Sequence, residues 1–205
     1  MTSKPVTGPR PDNDSAGTAP GPLRWIEEFV NTRRADGDLI AAPQQLSHWL
    51  HDRGLTPAQT AVTDAQHARA ASVREGLRAL IAANNAETVA SPRPDGLNPA
   101  AQADLAALTA QIPLTLDVSR QPPRLSPATS DPIDAAMATL LIAVANAVAD
   151  GTWPRFKACR EPSCRWAYYD HSRNRRRTWC SMELCGNRAK ARAAHNRKGN
   201  PRAEH

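Results

Sequence analysis

Residues 164–188 read CRWAYYDHSRNRRRTWCSMELCGNR, and Cys159 stands five positions ahead of them. The chain has four cysteines, Cys159, Cys164, Cys180 and Cys185, in a C-x4-C-x15-C-x4-C pattern. Zinc takes four soft or borderline ligands in a tetrahedron, and two local pairs joined by one longer arm meet that demand. Two disulfides, in any of three connectivities, are the competing reading. The N-terminal residues show no apolar export segment, which weighs against them. A redox dithiol commonly uses a tighter C-x-x-C. The spacing therefore predicts one structural zinc, Zn2+, held by all four cysteines. A redox-responsive version, in which thiolate oxidation ejects the metal, stays open. His171, within the arm, reads as a solvated or backbone-contacting residue in preference to a ligand.

Charge divides the chain at the same place. Residues 1–154 carry 12 Lys+Arg against 16 Asp+Glu, whereas residues 155–205 carry 14 against 4. An acidic body joined to a basic tail predicts a polyanionic partner for the tail. The chain's 22 Arg to 4 Lys, with abundant Ala and Pro, fits a GC-rich bacterial genome. Genome composition does not explain why arginines gather at one end. Arg173, Arg175, Arg176 and Arg177 sit on the arm between the cysteine pairs. GNRAKARAAHNRKGN, after Cys185, predicts a helix from about Gly186 to Arg197, stopped by Gly199 and Pro201. Arg188, Arg192 and His195 share one thin cationic face there, suited to a major groove. An arginine run alone is as readily a solvated face, but beside a four-cysteine module and a basic helix it points to duplex DNA. Arg173, Arg175, Arg176 and Arg177 are expected on phosphates, and Arg188, Lys190 and Arg192 on phosphates or base edges. Asn187 has two readings, adenine contact or bracing of the zinc loop. Asp170 is expected to orient a cysteine loop or an arginine.

Trp153, Phe156, Trp166, Tyr168, Tyr169 and Trp179 cluster around the cysteines, against Trp25, Phe29 and Trp49 in the body. Metal-coupled folding, with these rings packed over the site, would hold a module too small for a core of its own. Base stacking on exposed rings is the alternative.

Outward from this module the body reads as mostly helical. Residues 1–21, rich in Pro, Gly, Ser and Thr, are expected to form a disordered leader. Trp25, Ile26, Phe29 and Val30 make the stripe of a short helix ending near the turn at residues 33–38. Pro43 opens a helix carrying Leu46, Trp49 and Leu50, which Gly54 closes. Asp64 is the expected N-cap of the next helix, with Val73, Leu77, Leu80 and Ile81 on one face. Residues 91–99 read as a loop, and Pro99 as the opening of a short helix bearing Leu105 and Leu108. Ile112, Leu114, Leu116 and Val118 alternate, predicting a half-buried strand with PPRLSPA as its weak edge partner. Asp131 caps the longest helix, whose stripe of Ile133, Met137, Leu140, Leu141, Val144 and Val148 is expected in the core, or partly exposed for a homodimer. No stretch reads as a membrane span. No glycine-rich phosphate loop or paired carboxylates stand out, so an enzyme is not expected. Ser47, His48 and His51 read as solvent-facing polar residues.

The segment FKACREPSCRWAYYDHSRNRRRTWCSMELCGNRAKARAAHNRK resembles the CGNR zinc finger, named for the tetrapeptide here at Cys185-Gly186-Asn187-Arg188. The family pattern is matched by Cys159, Cys164, Trp166, Asp170, Ser172, Arg173, Asn174, Arg176, Trp179, Cys180 and Lys190. That finger commonly follows an ABATE domain, described as a stress-induced transcription regulator. FVNTR at 29–33, LSHWL at 46–50 and VREGLRALI at 73–81 are similar to its signposts. The resemblance implies a bacterial transcription regulator.

The expected fold class is α+β: a mainly α-helical N-terminal domain with a small β element, then a small C-terminal zinc-finger module ending in a helix. The expected domains are a leader over 1–21, an ABATE-like regulatory or sensor domain over 22–150 and the finger over 151–200. The expected function is a cytoplasmic, nucleoid-associated regulator that binds duplex DNA and senses a small-molecule effector or dimerises. Asn31, Thr32 and Arg33 are the first place to look for that effector. The rival readings are an RNA-binding module and an enzyme-like N-terminal domain.

Overall fold

Local signals set where each element begins and ends in the computed structural model, which describes residues 18–34, 36–85 and 100–199. The body opens with α1 (Leu23–Val30), followed by a tight hairpin of β1 (Arg33–Arg34) and β2 (Gly37–Asp38). Pro43 stands at the start of α2 (Pro43–Asp52), and Gly54, at φ +67°, turns the chain away after it. The long α3 (Asp64–Ala83) is capped one residue earlier than expected. Thr63 accepts from the Gln66 N–H, and Gln66 reaches back to the Thr63 N–H, so the two close a capping box.

Helix α4 (Ala100–Thr109) precedes an antiparallel pair, β3 (Leu114–Asp117) and β4 (Arg124–Pro127), in the register Leu116↔Leu125. Helix α5 (Pro132–Ala149) starts where expected, with the Asp131 carboxylate accepting from the N–H groups of Ile133 and Asp134, both at 2.9 Å. The C-terminal region adds β5 (Phe156–Ala158) and β6 (Ala167–Tyr169), antiparallel, then a π-helical turn over Met182–Gly186 and α6 (Asn187–Gly199). The architecture is thus a helical body followed by a small module ending in a helix.

Helix α3 is the axis of the body. Ala70, Val73, Leu77 and Ile81 face α1, α2 and α5, while its Gly76 side receives α4. A Cβ at Gly76 would lie 2.4 Å from the Leu105 Cβ and 2.9 Å from the Ala101 carbonyl oxygen. Alanine favours helix by about 1 kcal/mol over glycine, yet here it must push two helices apart. Gly76→Ala should therefore lower stability by about 1–3 kcal/mol in a denaturant titration. A stabilised variant would mean the two helices are not held this close.

Several expectations change. The leader does not run to residue 21: Ala19 is buried in the core, and its N–H donates to Glu27 Oε2 at 2.7 Å. Residues 1–17, the loop at 91–99 with Pro99, and Pro201 lie outside the described residues. Strand β3 forms, but its apolar face is open, with Leu116 56% and Val118 68% exposed. Alternation specified which side chains share a face, and among the described residues nothing covers that face. The stripe on α5 goes mainly inward, with Ile133, Met137 and Leu140 buried, Leu141 and Val144 packed on the core and Val148 exposed. At 18 residues and a mean hydropathy of 1.7, α5 is also long and apolar enough to cross a membrane by length and composition. Here one side of it builds the core.

That core does not stop at residue 150. Trp153, Phe156, Ala158, Ala167 and Tyr169 belong to the same buried cluster as Ile26, Leu77 and Met137. Asparagines of the body finish the junction. Asn31 Nδ2 donates to the Ala167 carbonyl and its Oδ1 accepts from the Ala167 N–H, both at 2.9 Å. Asn84 Nδ2 donates to the carbonyls of Trp153 and Phe156, and Asn85 Nδ2 to that of Ala158. Side-chain amides thus satisfy backbone edges that a two-stranded hairpin leaves unpaired.

Candidate metal centre and nucleic-acid interface

Successive strand residues point to opposite faces, and the β5–β6 hairpin uses both. Phe156, Ala158, Ala167 and Tyr169 face the body, while Tyr168 faces the cysteines. Each cysteine pair sits on a turn. In the first, the Glu161 carbonyl accepts from the N–H groups of Cys164 (2.8 Å) and Arg165 (3.2 Å), and Cys159 N–H donates to the Trp166 carbonyl. In the second, the Ser181 carbonyl accepts from the N–H groups of Cys185 and Gly186, and Ser181 Oγ from that of Leu184.

The turns bring all four sulfurs within 4.8 Å of one another, with Cys164–Cys180 at 3.5 Å and Cys180–Cys185 at 3.7 Å. A zinc tetrahedron with Zn–S bonds of ~2.3 Å has S···S edges of ~3.8 Å, whereas a disulfide brings its sulfurs to ~2.05 Å. The geometry is that of a metal site. Hydrogen bonding of the Cys159 S–H, as donor, to the neighbouring Cys164, Cys180 and Cys185 sulfurs, and then burial, hold that thiol far above the ordinary cysteine range. Four clustered thiols ionise together only when a cation compensates them. A d¹⁰ zinc ion suits four thiolates, so the cluster is one structural zinc site. His171 takes no part: its ring packs on Tyr169, and Nε2 lies 3.1 Å from the Thr18 carbonyl.

The rings divide between two tasks. Trp153, Phe156 and Tyr169 pack into the body core, while Tyr168, Trp166 and Trp179 pack with the cysteines. Packing all of them over the metal was expected, but the hairpin's alternation sends half the other way. Phe156, Tyr168 and Tyr169 are buried and closed to base stacking.

Between the cysteine pairs the arm is strung on buried polar groups. Lys157, only 2% exposed, donates to the Asp170 carboxylate at 2.8 Å and to the carbonyls of Arg175 and Arg177. Asp170, fully buried, also accepts from the N–H groups of Ser172 (3.0 Å) and Arg177 (2.9 Å) and from Ser172 Oγ. Burial alone would raise the Asp170 pKa, but these donors, Lys157 foremost, overcome it and hold the carboxyl at about 2. Tyr168 Oη donates to the Arg177 carbonyl at 2.7 Å, and Arg155 donates to the carbonyls of Asp170 and Ser172. Asp170 thus orients the backbone of the arm, where it was expected to orient a cysteine loop or an arginine. Lys157 and Arg155 were not singled out from the sequence. The available signal was a lysine alone among residues that pack, in F-K-A.

The expected DNA contacts separate accordingly. Arg173, Arg175, Arg176 and Lys190 are exposed and Arg188 half-buried, and none has a side-chain hydrogen bond or ion pair among the described residues. Arg177 is different. It lies over the Tyr168 ring, with Nε donating to the Trp179 carbonyl at 2.8 Å and Nη2 to that of Cys180. It braces the second cysteine turn with two of its three nitrogens, so less of it is available to a phosphate than of its neighbours. Arg192 makes a two-pronged pair with Glu161, 2.8 and 2.6 Å, which ties α6 to the first cysteine turn. Glu161 is 2% exposed; Arg192 outweighs its burial and lowers its pKa. Asn187 Nδ2 donates to the Glu183 carbonyl, the bracing reading.

Asn31 and Thr32 are also engaged within the fold. Beyond the Asn31 bridge to Ala167, Thr32 Oγ1 donates to the Phe29 carbonyl and accepts from Arg74. Of the three residues proposed for an effector, only Arg33 is exposed.

Comparison with known families matches two family models along the chain. The family model for the CGNR zinc finger matches residues 155–198. That for ABATE, whose description reads "Putative stress-induced transcription regulator", matches residues 23–151. No curated protein matches the chain. The helical body is therefore that of the ABATE family, to which this chain belongs, and it carries a CGNR zinc finger.

Proposed function

We propose that the chain is a transcription regulator whose zinc-held module binds duplex DNA, acting in the cytoplasm and on the nucleoid when bound. One observation carries the reading: the module buries its own acids. Of the carboxylates at 155–199, Asp170 and Glu161 are buried against Lys157 and Arg192, and only Glu183 is exposed. What faces solvent is Arg173, Arg175 and Arg176 on a braced arm and Lys190 on a helix. Such a surface has few internal partners to give up when it meets phosphate, and each phosphate it neutralises releases counterions. The helix held by Arg192 and Glu161 supplies an element of the width a major groove admits.

Salt dependence tests this. Arg176→Ala should lower the slope of log K against log salt by roughly one unit on duplex DNA, uniformly across sequences. Arg188→Ala, if that side chain reaches a base edge, should instead cost ~1–3 kcal/mol at one position of the site. Unchanged slopes for Arg173→Ala, Arg175→Ala and Arg176→Ala alike would remove DNA from the reading. RNA of the same sequence, competing as well as duplex, would replace it.

A further inference from the structure

Where the body meets the zinc module, a cleft of about 500 Å³ opens between β1, α3 and the first cysteine turn. Its charge is one-sided. Arg33 and Arg34 come from β1, Arg74 and Arg78 from α3, and Arg165 from the residue after Cys164, against Glu75 in the wall. Asp38 behind them is shared by Arg74, at 2.7 Å, and Arg33, at 3.5 Å. Glu75 is shared by Arg74 and Arg78, both at 3.1 Å. Five guanidinium groups therefore meet two carboxylates. Arg74 and Arg78 are 4% and 3% exposed, and uncompensated charge at such depth is costly. Burial lowers the Arg78 pKa, with Arg165 and Arg74 adding to that against the pull of Glu75. Arg165 Nε is buried with no hydrogen-bond partner among the described residues, a donor lacking an acceptor.

We propose that this cleft binds a small polyanion, a molecule bearing two or more carboxylate or phosphate groups. Guanidinium forks match both groups two bonds at a time, and the volume is within the ~300–1,000 Å³ usual for small-ligand sites. The site draws on both halves of the chain. Arg78 already bridges them, Nη1 donating to the Arg165 carbonyl and Nη2 to that of Val30, and Arg34 lies over the Trp166 ring. An anion held there ties β1 and α3 to the first cysteine turn, whose Glu161 positions α6. A ligand that favours one setting of that turn then changes DNA affinity by the same factor by which DNA changes its own. This last step rests on the DNA-binding reading, but the site itself does not.

Calorimetry on the zinc-loaded full chain, without DNA, tests the site with pyrophosphate and citrate as probes for phosphate and carboxylate sources. One or both should bind saturably, one per chain, while chloride at equal ionic strength gives no heat. Replacing the exposed pair, Arg33→Ala with Arg34→Ala, should weaken binding about tenfold or more with zinc content unchanged and only a small fall in melting temperature from the lost Asp38 and Trp166 contacts. Arg165→Gln is the second variant and should do the same from the other wall. No binding of either probe at millimolar concentration overturns the site, as does equal affinity in the variants. Displacement of the probe by short duplex DNA, one for one, would instead give the cleft to the nucleic-acid surface. Failure of DNA binding with probe affinity intact would leave the cleft standing and overturn only the regulatory reading.

Discussion

Cys180→Ser should empty the zinc site and lower the stability of the whole chain, not of the finger alone. Structural zinc contributes on the order of 10–16 kcal/mol to small zinc modules near neutral pH, and a serine hydroxyl does not ionise to replace a thiolate. With Cys180 gone, the 3.5 and 3.7 Å contacts that join it to Cys164 and Cys185 vanish, and the two cysteine turns lose their common point. The damage spreads because Phe156, Ala158, Ala167 and Tyr169 are part of the body's core. Elemental analysis should read one zinc per chain before the change and close to none after it. Thermal melting should show a single transition moved down by many degrees, and DNA affinity should fall with it. A finger tethered like a bead would instead leave the body's melting untouched. Full zinc content in the variant would remove Cys180 from the ligand set.

What was legible in the sequence follows a physical line. Chemistry that depends on neighbours along the chain could be read: the Asp131 cap, Pro43 at a helix start, glycine after α2, and four cysteines spaced as two turns. Pairing of β3 with β4 was legible for the same reason, since a short connection brings the strands together. Partners far away in sequence could not be read. Arg74 and Arg78 look like the polar side of α3, yet that helix is covered on more than one side, and both are buried in ion pairs. Arg177 and Arg192 looked identical to the other arginines. Two backbone carbonyls and a glutamate 31 residues away give them internal tasks. Asn31, Asn84 and Asn85 meet backbone edges of strands more than 65 residues distant. No periodicity marks a side chain that will mimic a strand.

The largest effect after the cysteines is expected at Asp170, where charge and geometry predict opposite signs for DNA affinity. Asp170→Ala raises the net charge by one, so if only the summed field mattered, affinity for a polyanion would rise. On the DNA-binding reading proposed above, the buried contacts of Asp170 predict a fall. Removing the carboxylate leaves the Lys157 ammonium buried among carbonyls, and it strips the acceptor from the N–H groups of Ser172 and Arg177. Breaking one side of a buried ion pair costs about 3–5 kcal/mol, and the released segment is the one that presents Arg173, Arg175 and Arg176. Melting and DNA affinity should both drop, with the affinity loss exceeding that of any single arm arginine. Asp170→Asn, which keeps one acceptor oxygen, should lose less stability than alanine. Lys157→Met combined with Asp170→Leu should recover much of the lost stability, since replacing both members by apolar groups can be nearly neutral. It should not recover DNA affinity, because the backbone acceptors that shape the arm stay absent. A gain of DNA affinity in Asp170→Ala would mean that the arginines act through charge alone and that the braced arm is not what the DNA meets.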